Sequence, residues 1–281
     1  MASPWDDLHL HPGDRPNSYL GSIDPDWVVR TLPIGGFLVG LAAEAMARTL
    51  NNETQLLRTI TAMFAGPVRN GHVEIDVSVL RQGRSVSQLT ATLRNVGAEA
   101  GVTVVAAFGA SRRGFTFTDL EMPTVPAPEN CKTWVEAKPA DVVFDYPPSP
   151  YWTKVVESRL ASGRWDWEPC PGGRAEDASW FRFFDAPTTG EGLLHRAALA
   201  VLADSMPGAL NSKVDELNWF APSIDLTIHM LGDVTPGWIL AHSRASWAGS
   251  GYASASVDLW DPRTGVLAAH ATQMMVFAFS E

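Results

Sequence analysis

The sequence predicts an α+β fold built from two similar modules, in each of which an antiparallel β-sheet wraps around one helix. The first observation is an internal repeat. Two segments of the 281-residue chain show the same order of elements, an apolar helix followed by several strands. The second is that short turns join the strands of each segment, which favours antiparallel pairing over the long crossovers that parallel strands require. The length gives room for two units of about 140 residues.

The first segment opens with the helix, predicted from Phe37 to Leu50 directly after Gly35 and Gly36. This stretch is rich in Ala and Leu, as is typical of a buried helix, and the asparagine at position 51 ends it. The strands that follow alternate apolar and polar residues in part, which indicates one buried face. They are predicted at Leu56–Phe64, Val73–Leu80, Ser85–Asn95 and Val102–Phe108.

The second segment repeats this order. A helix is predicted from Glu191 to about Ser205, and Pro207 with Gly208 ends it. The turn-forming residues Asp261 to Gly265 separate the last two strands. The four strands are predicted at Ile224–Met230, Trp238–Trp247, Tyr252–Trp260 and Val266–Phe279.

The stretch between the segments, Thr116 to Asp185, begins with several prolines and then carries five tryptophans. We interpret residues 121–140 as a linker between an N-terminal module, 1–120, and a C-terminal module, 141–281. The rest is expected to supply the first strand of the second module and loops that pack over a pocket. A partly ordered connector is the alternative, although tryptophans are scarce in disordered segments.

Composition excludes several classes of function. The formal net charge of −10 disfavours nucleic-acid binding, which needs a basic surface. No run of eighteen apolar residues predicts a membrane helix, and the N-terminus lacks the pattern of a secretory signal. The two cysteines, Cys131 and Cys170, indicate neither a disulfide framework nor a metal cluster. A cytoplasmic protein without a metal site is therefore expected.

Short motifs in a fixed order carry a resemblance to a known family. In the first half they are Gly35–Gly40, Phe64–Pro67 with Gly71, Leu80–Ser85 and Ala106–Phe108. In the second half they are Trp180–Arg182, His195–Asp204, Ser223–Asp225, Tyr252–Leu259, Gly265–Leu267 and Thr272–Gln273. With this order and spacing the chain resembles the type II acyl-CoA thioesterases, whose fold is a double hotdog, two fused modules of the kind predicted above.

The resemblance implies a hydrolase that cleaves an acyl thioester with a water held by Asp204, Ser223 and Gln273. It implies no cofactor beyond the coenzyme A of the substrate. Coenzyme A or an acyl carrier protein is expected to carry the acyl group, and the chain is expected to form a homo-oligomer. The sequence departs from the family after Asp225, where Leu226 stands in place of a histidine, so the acyl pocket is expected to differ.

The residues support these roles independently. Asp204 shares a helix face with apolar residues and lies near a helix C-terminus; both surroundings raise a carboxyl pKa, as suits a general base. Gln273 is the only polar residue on its face of the last strand, and a buried amide needs hydrogen-bond partners. Ser223 shares a strand face with polar residues, which indicates a solvent-facing side, so Thr227 is kept as a substitute.

Substrate contacts are predicted from local chemistry. Gly35 and Gly36 precede a helix, whose N-terminal N–H groups can polarise a thioester oxygen. A phosphate-bearing substrate needs a local basic patch in this acidic chain, and Arg81 and Arg84 flank a turn that could provide it. His195 is expected to line the site. Arg182 and Arg244 are further candidates for phosphate contact.

Two other functions stay open because one fold serves several chemistries. A hotdog hydratase or dehydratase would pair an acid with a histidine, which requires Asp204 or Glu44 to lie near His195 or His229. The spacing of Glu44 after the glycine pair is off by one residue for a catalytic acid on this helix. A non-hydrolytic protein that binds an acyl or polyketide-like ligand is the other alternative.

Overall fold

A computed structural model of the chain describes residues 3–143, 149–170, 172–216 and 219–279. Most strands join one 13-stranded antiparallel sheet. The strands up to position 109 are β1 (His11–Pro12), β2 (Ser18–Ile23), β3 (Val28–Val29), β4 (Leu32–Pro33), β5 (Leu56–Phe64), β6 (Gly71–Arg81), β7 (Val86–Asn95) and β8 (Val102–Gly109). The later strands are β9 (Lys132–Thr133), β10 (Val156–Ser162), β11 (Glu176–Phe183), β12 (Trp219–Phe220), β13 (Asp225–Met230), β14 (Ile239–Gly249), β15 (Tyr252–Asp261), β16 (Val266–Val276) and β17 (Ala278–Phe279).

The order of strands in the large sheet is β1-β2-β6-β7-β8-β5-β13-β16-β15-β14-β11-β10-β9. Two short pairs, β12 with β17 and β3 with β4, lie outside it. The modules meet where β5 pairs with β13, with Ile60 opposite Ile228. Both isoleucines are fully buried, so the junction of the modules is part of the hydrophobic core. This is the double-hotdog arrangement that the sequence predicts.

The helices are α1 (Gly35–Leu50), α2 (Trp134–Ala137), α3 (Arg196–Ala203) and α4 (Pro207–Asn211). No helix among the described residues is both long enough and apolar enough to cross a bilayer. The strand predicted at Leu56–Phe64 is confirmed as β5. The ends of the other predicted strands of the two modules differ from the observed ends by at most two residues. The last predicted strand is the exception, because it is split into β16 and β17. The middle stretch contributes three strands, β9 to β11, where one was expected.

The prediction that the second helix begins at Glu191 is wrong. Gly192 has a φ of +75° and donates its N–H to the Thr189 carbonyl in a turn. Helix α3 begins only after His195, an extended N-cap residue whose Nδ1 accepts a hydrogen bond from the backbone N–H of Ala197. Pro207 was predicted to end the second helix, but it begins a further helix, α4. Proline is well suited to the first position of a helix.

Helices α1 and α3 cross at very short range. A Cβ atom on Gly36 would lie 2.2 Å from the carbonyl oxygen of Ala200, and one on Gly40 would lie 3.0 Å from the Cβ of Ala197. The glycines of α1 therefore let the two backbones touch. Because the helices run in opposite directions, the N-terminus of α1 lies beside the C-terminus of α3.

Replacing Gly36 by Ala should destabilise the protein. Alanine would normally favour a helix by up to about 1 kcal/mol, but here the new methyl group collides with backbone that cannot rotate away. We expect a net loss of about 1–3 kcal/mol, as is usual for overpacking, measured by chemical denaturation. Gly190→Ala is the matched control, since a Cβ there meets nothing within 4 Å. An equal effect of both substitutions would contradict the close crossing.

A buried carboxyl group lies under α4, on the sheet face that carries the helices. Asp177 of β11 is 6% exposed, its Oδ2 accepts a hydrogen bond from Ser179 Oγ at 3.0 Å, and its Oδ1 has no partner within the described residues. Burial raises the pKa of Asp177 to about 7, and hydrogen bonds from Ser179 and Ser243 offset this only in part. The protein therefore favours the protonated carboxyl in its folded state.

This shift predicts a pH dependence of stability. The folded-state pKa of Asp177 lies above the value of the unfolded chain, so its contribution is present below about pH 4 and is lost as the pH rises towards 7. Asp177→Asn cannot ionise. Its stability relative to wild type should therefore increase between about pH 4 and pH 8, by up to roughly 4 kcal/mol. Urea unfolding at both pH values measures this. A constant difference would contradict it, and Asp233→Asn, at an exposed site, is the control.

Candidate active site

The three residues predicted to hold a water meet at one place. Asp204 is the C-cap residue of α3, Ser223 lies just before β13, and Gln273 lies in β16. Gln273 Nε2 donates a hydrogen bond to Asp204 Oδ1 at 2.7 Å and another to Ser223 Oγ. Ser223 Oγ in turn donates to Asp204 Oδ1 at 3.3 Å. An acid, an amide and a hydroxyl thus form one closed hydrogen-bonded set.

A backbone N–H group of the first module completes this hydrogen-bonded set. The N–H of Gly36 donates to Asp204 Oδ2 at 3.0 Å. Helix α1 has no side-chain cap of its own, since Ile34 occupies its N-cap position. The Asp204 carboxylate therefore caps α1 from the other module, where the N–H groups and the helix dipole favour a negative charge.

Gly35 makes room for this contact. A Cβ on Gly35 would lie 3.0 Å from Asp204 Oδ2 and 2.8 Å from the ring of Phe64. The absence of a side chain at Gly35 thus lets the acid and the aromatic ring both approach the helix terminus. The structure therefore places the predicted Gly35 and Gly36 against Asp204, and Phe64 joins the site from the Phe64–Pro67 motif.

The pKa of Asp204 is raised above its ordinary value, as the sequence predicts. Burial is the largest cause, and hydrogen bonds from Gln273, the Gly36 backbone, Ser223 and the Gly35 backbone act in the opposite direction. The side chain keeps partial exposure. A carboxylate of this kind is a stronger proton acceptor than one in water, and it still has access to solvent.

The side chain of Gln273 has one acceptor that the bonds described above do not use. The residue is 2% exposed, and both bonds described above use its amide nitrogen. Its Oε1 is buried and has no hydrogen-bond partner within the described part of the chain. A buried acceptor without a partner is costly, so this oxygen is suited to accept a hydrogen from a water or another donor that enters the site.

Ser223 faces inward, so the expectation of a solvent-facing position is wrong. Strand β13 begins only at Asp225, and the alternation of its faces does not extend back to Ser223. A β-bridge to Met275 and the bond from Ile224 N–H to the Met274 carbonyl hold this segment against β16. The substitute Thr227 lies elsewhere: it is hydrogen-bonded to Thr61 at 3.1 Å, at the pairing of β5 with β13.

Tyr151 is a site neighbour that the sequence did not single out. It is 1% exposed and lies in a π-helical turn, Tyr151–Val155, within the middle stretch. Burial, with the negative charge of Asp204 as the second cause, raises its pKa well above the ordinary value for a phenol. Its ring lies 6.4 Å from that of Trp27, which stacks on Phe37, the residue after Gly36. None of the short motifs that carry the resemblance covers this turn, so no sequence signal pointed to it.

His195 lies at the other end of α3. Nine residues separate it from Asp204, a rise of about 13 Å along a helix. Its Nε2 is 3.6 Å from Oε2 of Glu44, which is paired with Arg48 at 2.7 Å. Burial lowers the pKa of His195, and the negative charge of Glu44 opposes this. Counted from the N-cap residues His195 and Ile34, the position that matches Asp204 is Ala43, one residue before Glu44.

The first module lacks the matching amide. Ala271 lies opposite Ile228, and Gln273 follows two residues later. In the first module Ala106 lies opposite Ile60, and the residue two further on is Phe108. The acid–amide pair of the second module therefore has Ala43 and Phe108 as its counterparts.

Arg81 and Arg84 are not brought to Asp204. In the register of the sheet, Phe64 lies opposite Val102, whereas Leu56 and Val86 both lie opposite Gly109. The turn that carries the two arginines is therefore at the end of the sheet far from Phe64, at a distance of roughly 26 Å along β5. The other candidates have partners: Arg182 binds Glu157 at 2.5 Å, and Arg244 binds Asp258.

Two family models match the chain in the order of its modules. Residues 23–109 match the acyl-CoA thioesterase N-terminal domain, and residues 128–277 match the acyl-CoA thioesterase C-terminal domain. The chain belongs to the acyl-CoA thioesterase family. No curated protein matches it by overall sequence.

Solved structures show the same fold over the whole chain. A hot dog fold protein of unknown function from Alicyclobacillus acidocaldarius has a TM-score of 0.82 at 22% identity and covers 100% of both chains. Acyl-CoA thioesterase II TesB2 from Mycobacterium marinum has a TM-score of 0.76 at 19% identity, covering 99% of both. The dehydratase domain of RzxB from Pseudomonas fluorescens has a TM-score of 0.53 at 13% identity, covering 94% of both chains.

The effect of the Gln273 hydrogen bond should be measurable as a change in the pKa of Asp204. It lowers the pKa of Asp204, so Gln273→Met should raise that pKa further by removing a donor of similar size. A carboxyl carbon titration by NMR, assigned with Asp204→Asn, reports the value. Gln88→Met, at an exposed position of β7, should leave it unchanged. A pKa that stays constant or falls in Gln273→Met would contradict the described contact.

Proposed function

We propose that the protein hydrolyses an acyl thioester to a carboxylic acid and a thiol, with Asp204 as the general base. The observation that carries the proposal is the closed set of Asp204, Ser223 and Gln273, in which the buried Oε1 of Gln273 has no partner among the described residues. One carboxylate oxygen and one amide oxygen are two acceptors, and a water has two hydrogens to donate. The set therefore supports the binding of one oriented water.

The chemical step follows from these positions. Asp204 accepts one proton from the water while the water oxygen bonds to the thioester carbonyl carbon, and Gln273 Oε1 holds the second hydrogen. The tetrahedral intermediate then collapses with cleavage of the carbon–sulfur bond, and the thiolate takes up a proton. Water is the only other reactant, so the reaction needs no covalent enzyme intermediate and no cofactor.

A donor is needed for the oxygen that becomes negative. The N–H of Gly36 is already bonded to Asp204, so the helix terminus stabilises the base more directly than the substrate. Tyr151 meets the requirement: a phenol is protonated at neutral pH in any case, and burial with the charge of Asp204 raises its pKa further. We assign it the role of hydrogen-bond donor to the thioester oxygen.

The test of the proposal is thiol release from acyl-CoA esters of short, long and aromatic acyl groups, and from the same acyl groups on an acyl carrier protein. Asp204→Asn should lower kcat/KM at least about a hundredfold, equivalent to roughly 2.7 kcal/mol of transition-state stabilisation. Asp233→Asn removes an acid that pairs with Arg196 away from the site and should keep full activity. If no ester of either carrier releases thiol, the proposal fails, and ligand binding without hydrolysis becomes the explanation to pursue.

The role of Tyr151 has its own test. Tyr151→Phe removes only the hydroxyl, so kcat should fall about tenfold to a hundredfold, a loss of roughly 1.4–2.7 kcal/mol, while KM changes little. Tyr252→Phe, at an exposed tyrosine, is the control. A rise in KM at constant kcat would instead indicate that the phenol contributes to binding alone.

A second candidate function rests on the pair of Glu44 and His195. The imidazole Nδ1 accepts the Ala197 N–H, so in the neutral ring the proton is on Nε2, 3.6 Å from Glu44 Oε2. An imidazole and a carboxylate at this distance can move protons, as hydration or dehydration of an acyl thioester requires. Loss of the double bond of an enoyl-CoA without thiol release, abolished in His195→Ala, would support it. Arg48 already occupies Oε1 of Glu44 at 2.7 Å, so hydrolysis is the better supported function.

A further inference from the structure

A buried carboxylate fixes the orientation of one histidine near the middle of the sheet. Asp258 of β15 and His270 of β16 lie opposite each other, and His270 Nδ1 is 2.7 Å from Asp258 Oδ1. The Asp258 side chain is 2% exposed, and its other oxygen binds Arg244. A carboxylate paired with an arginine only accepts hydrogen bonds, so Nδ1 of His270 carries the hydrogen. The neutral imidazole of His270 therefore has its lone pair on Nε2.

His270 lies on the face of the sheet opposite to the candidate active site. Along β16, Ala271 and Gln273 are buried, whereas His270 and Thr272 are partly or fully exposed. Successive residues of a strand face opposite sides, so His270 belongs to the outer face and Gln273 to the inner one. The side chain of His270 is 32% exposed, so a solute can reach it.

A second imidazole lies beside the first. His229 of β13 lies directly opposite His270 in the register of the sheet. The two rings are parallel to within 4°, and their centroids are 6.4 Å apart. His229 is exposed, so its ring can rotate about its side-chain bonds. Two neighbouring strands thus place two nitrogen ligands on one accessible patch.

The spacing of the rings suits a single metal ion between them. With nitrogen–metal distances of about 2.0–2.1 Å and tetrahedral angles, the centroids of two bound imidazoles lie roughly 5 Å apart. His229 and His270 need to approach by about 1 Å to reach this spacing, and a rotation of the exposed His229 ring provides it. A histidine whose second nitrogen is bonded to a carboxylate is also the usual arrangement at protein-bound metal ions, because the carboxylate fixes the ring and makes it a stronger ligand.

Charge and ligand type narrow the choice of ion. Asp258 and Arg244 pair with each other, so together they add no net charge beside the two imidazoles. Imidazole nitrogen suits zinc, copper and nickel, whereas magnesium and calcium prefer oxygen ligands. In the part of the chain that the structure describes, no group of three or more histidine, cysteine, aspartate or glutamate side chains could hold a metal ion. The two imidazoles are therefore the protein ligands, and water completes the coordination shell.

We propose that His229 and His270 bind one divalent transition metal ion, such as Zn²⁺, on the outer face of the sheet, with Asp258 as the residue that positions His270. The bound ion joins β13 to β16, the strand that carries Gln273 on its inner face. The site is separate from Asp204, and the proposal does not depend on which reaction that residue catalyses. The cysteine content gave no sign of this site, because its ligands are histidines from neighbouring strands.

Calorimetric titration of the untagged protein with Zn²⁺ tests the proposal. Wild type should bind one ion per chain, and Mg²⁺ should not bind. His229→Gln should lose the binding, since it removes a ligand, and Asp258→Asn should weaken it about 10–100-fold, as is usual for a residue that orients a ligand. The control is His11→Gln, at an exposed histidine of β1, which should bind Zn²⁺ as wild type does.

Two further measurements separate metal ligation from a merely structural role. Electron paramagnetic resonance of bound Cu²⁺ should show coupling to two imidazole nitrogens in wild type and to one in His229→Gln. Zn²⁺ should raise the midpoint of thermal unfolding of wild type but not of His229→Gln, because an ion that binds only the folded state stabilises it. His229 is exposed, so this variant should fold, and its circular dichroism should match that of wild type.

The absence of saturable binding of both Zn²⁺ and Cu²⁺ to wild type overturns the proposal. Binding that His11→Gln abolishes and His229→Gln leaves intact also overturns it, because the ion would then lie among the N-terminal histidines. If Asp258→Asn folds and binds Zn²⁺ as tightly as wild type, the role assigned to Asp258 is wrong. If Asp258→Asn does not fold, the comparison of His229→Gln with His11→Gln still decides whether the site exists.

Discussion

The carboxylate of Asp204 accepts a hydrogen bond from the first turn of α1, and this contact ties the two modules together at the site. It exists because Gly36 allows the backbones of α1 and α3 to touch. A helix terminus that is buried without a cap would leave N–H groups unsatisfied, and a buried carboxylate without donors would be costly. The N-terminus of α1 supplies a hydrogen-bond donor to the carboxylate, and the carboxylate supplies an acceptor to the helix terminus.

The same contact sets the chemical character of the acid. Burial raises the pKa of Asp204, the donors from Gln273, Gly36 and Ser223 lower it, and the net effect is upward. Burial without these donors would favour the neutral carboxyl, which cannot accept a proton from water. With the donors alone it would be a weak base. The number of hydrogen bonds at this carboxylate thus adjusts its basicity as well as its position.

The internal repeat and the strand periodicity could be predicted from patterns within single elements. Asp204 and Gln273 were singled out by the resemblance to the thioesterase family, and the periodicity of their own elements predicted that both are buried. Other features depend on contacts between elements. The inward turn of Ser223 follows from its bridge to Met275, and the late start of α3 from the backbone of Gly192. Arg81 and Arg84 lie far from the acid because of sheet register, and Tyr151 lies in a π-helical turn that none of the short sequence motifs covers. None of these could be read from local spacing.

The duplicated modules have unequal roles at the site. The second supplies the acid, the hydroxyl and the amide, and the first supplies only the backbone of Gly35 and Gly36 and the ring of Phe64. Neither half holds a complete set, so the two halves of a chain divided within residues 111–121 would have to reassociate before either could carry out the proposed chemistry. The first module consequently carries Ala43 and Phe108 where the second has its acid and amide, but it cannot gain a side chain at position 36 without separating the helices. The two modules therefore form one composite centre, in which the backbone keeps the symmetry of the repeat and the side chains do not.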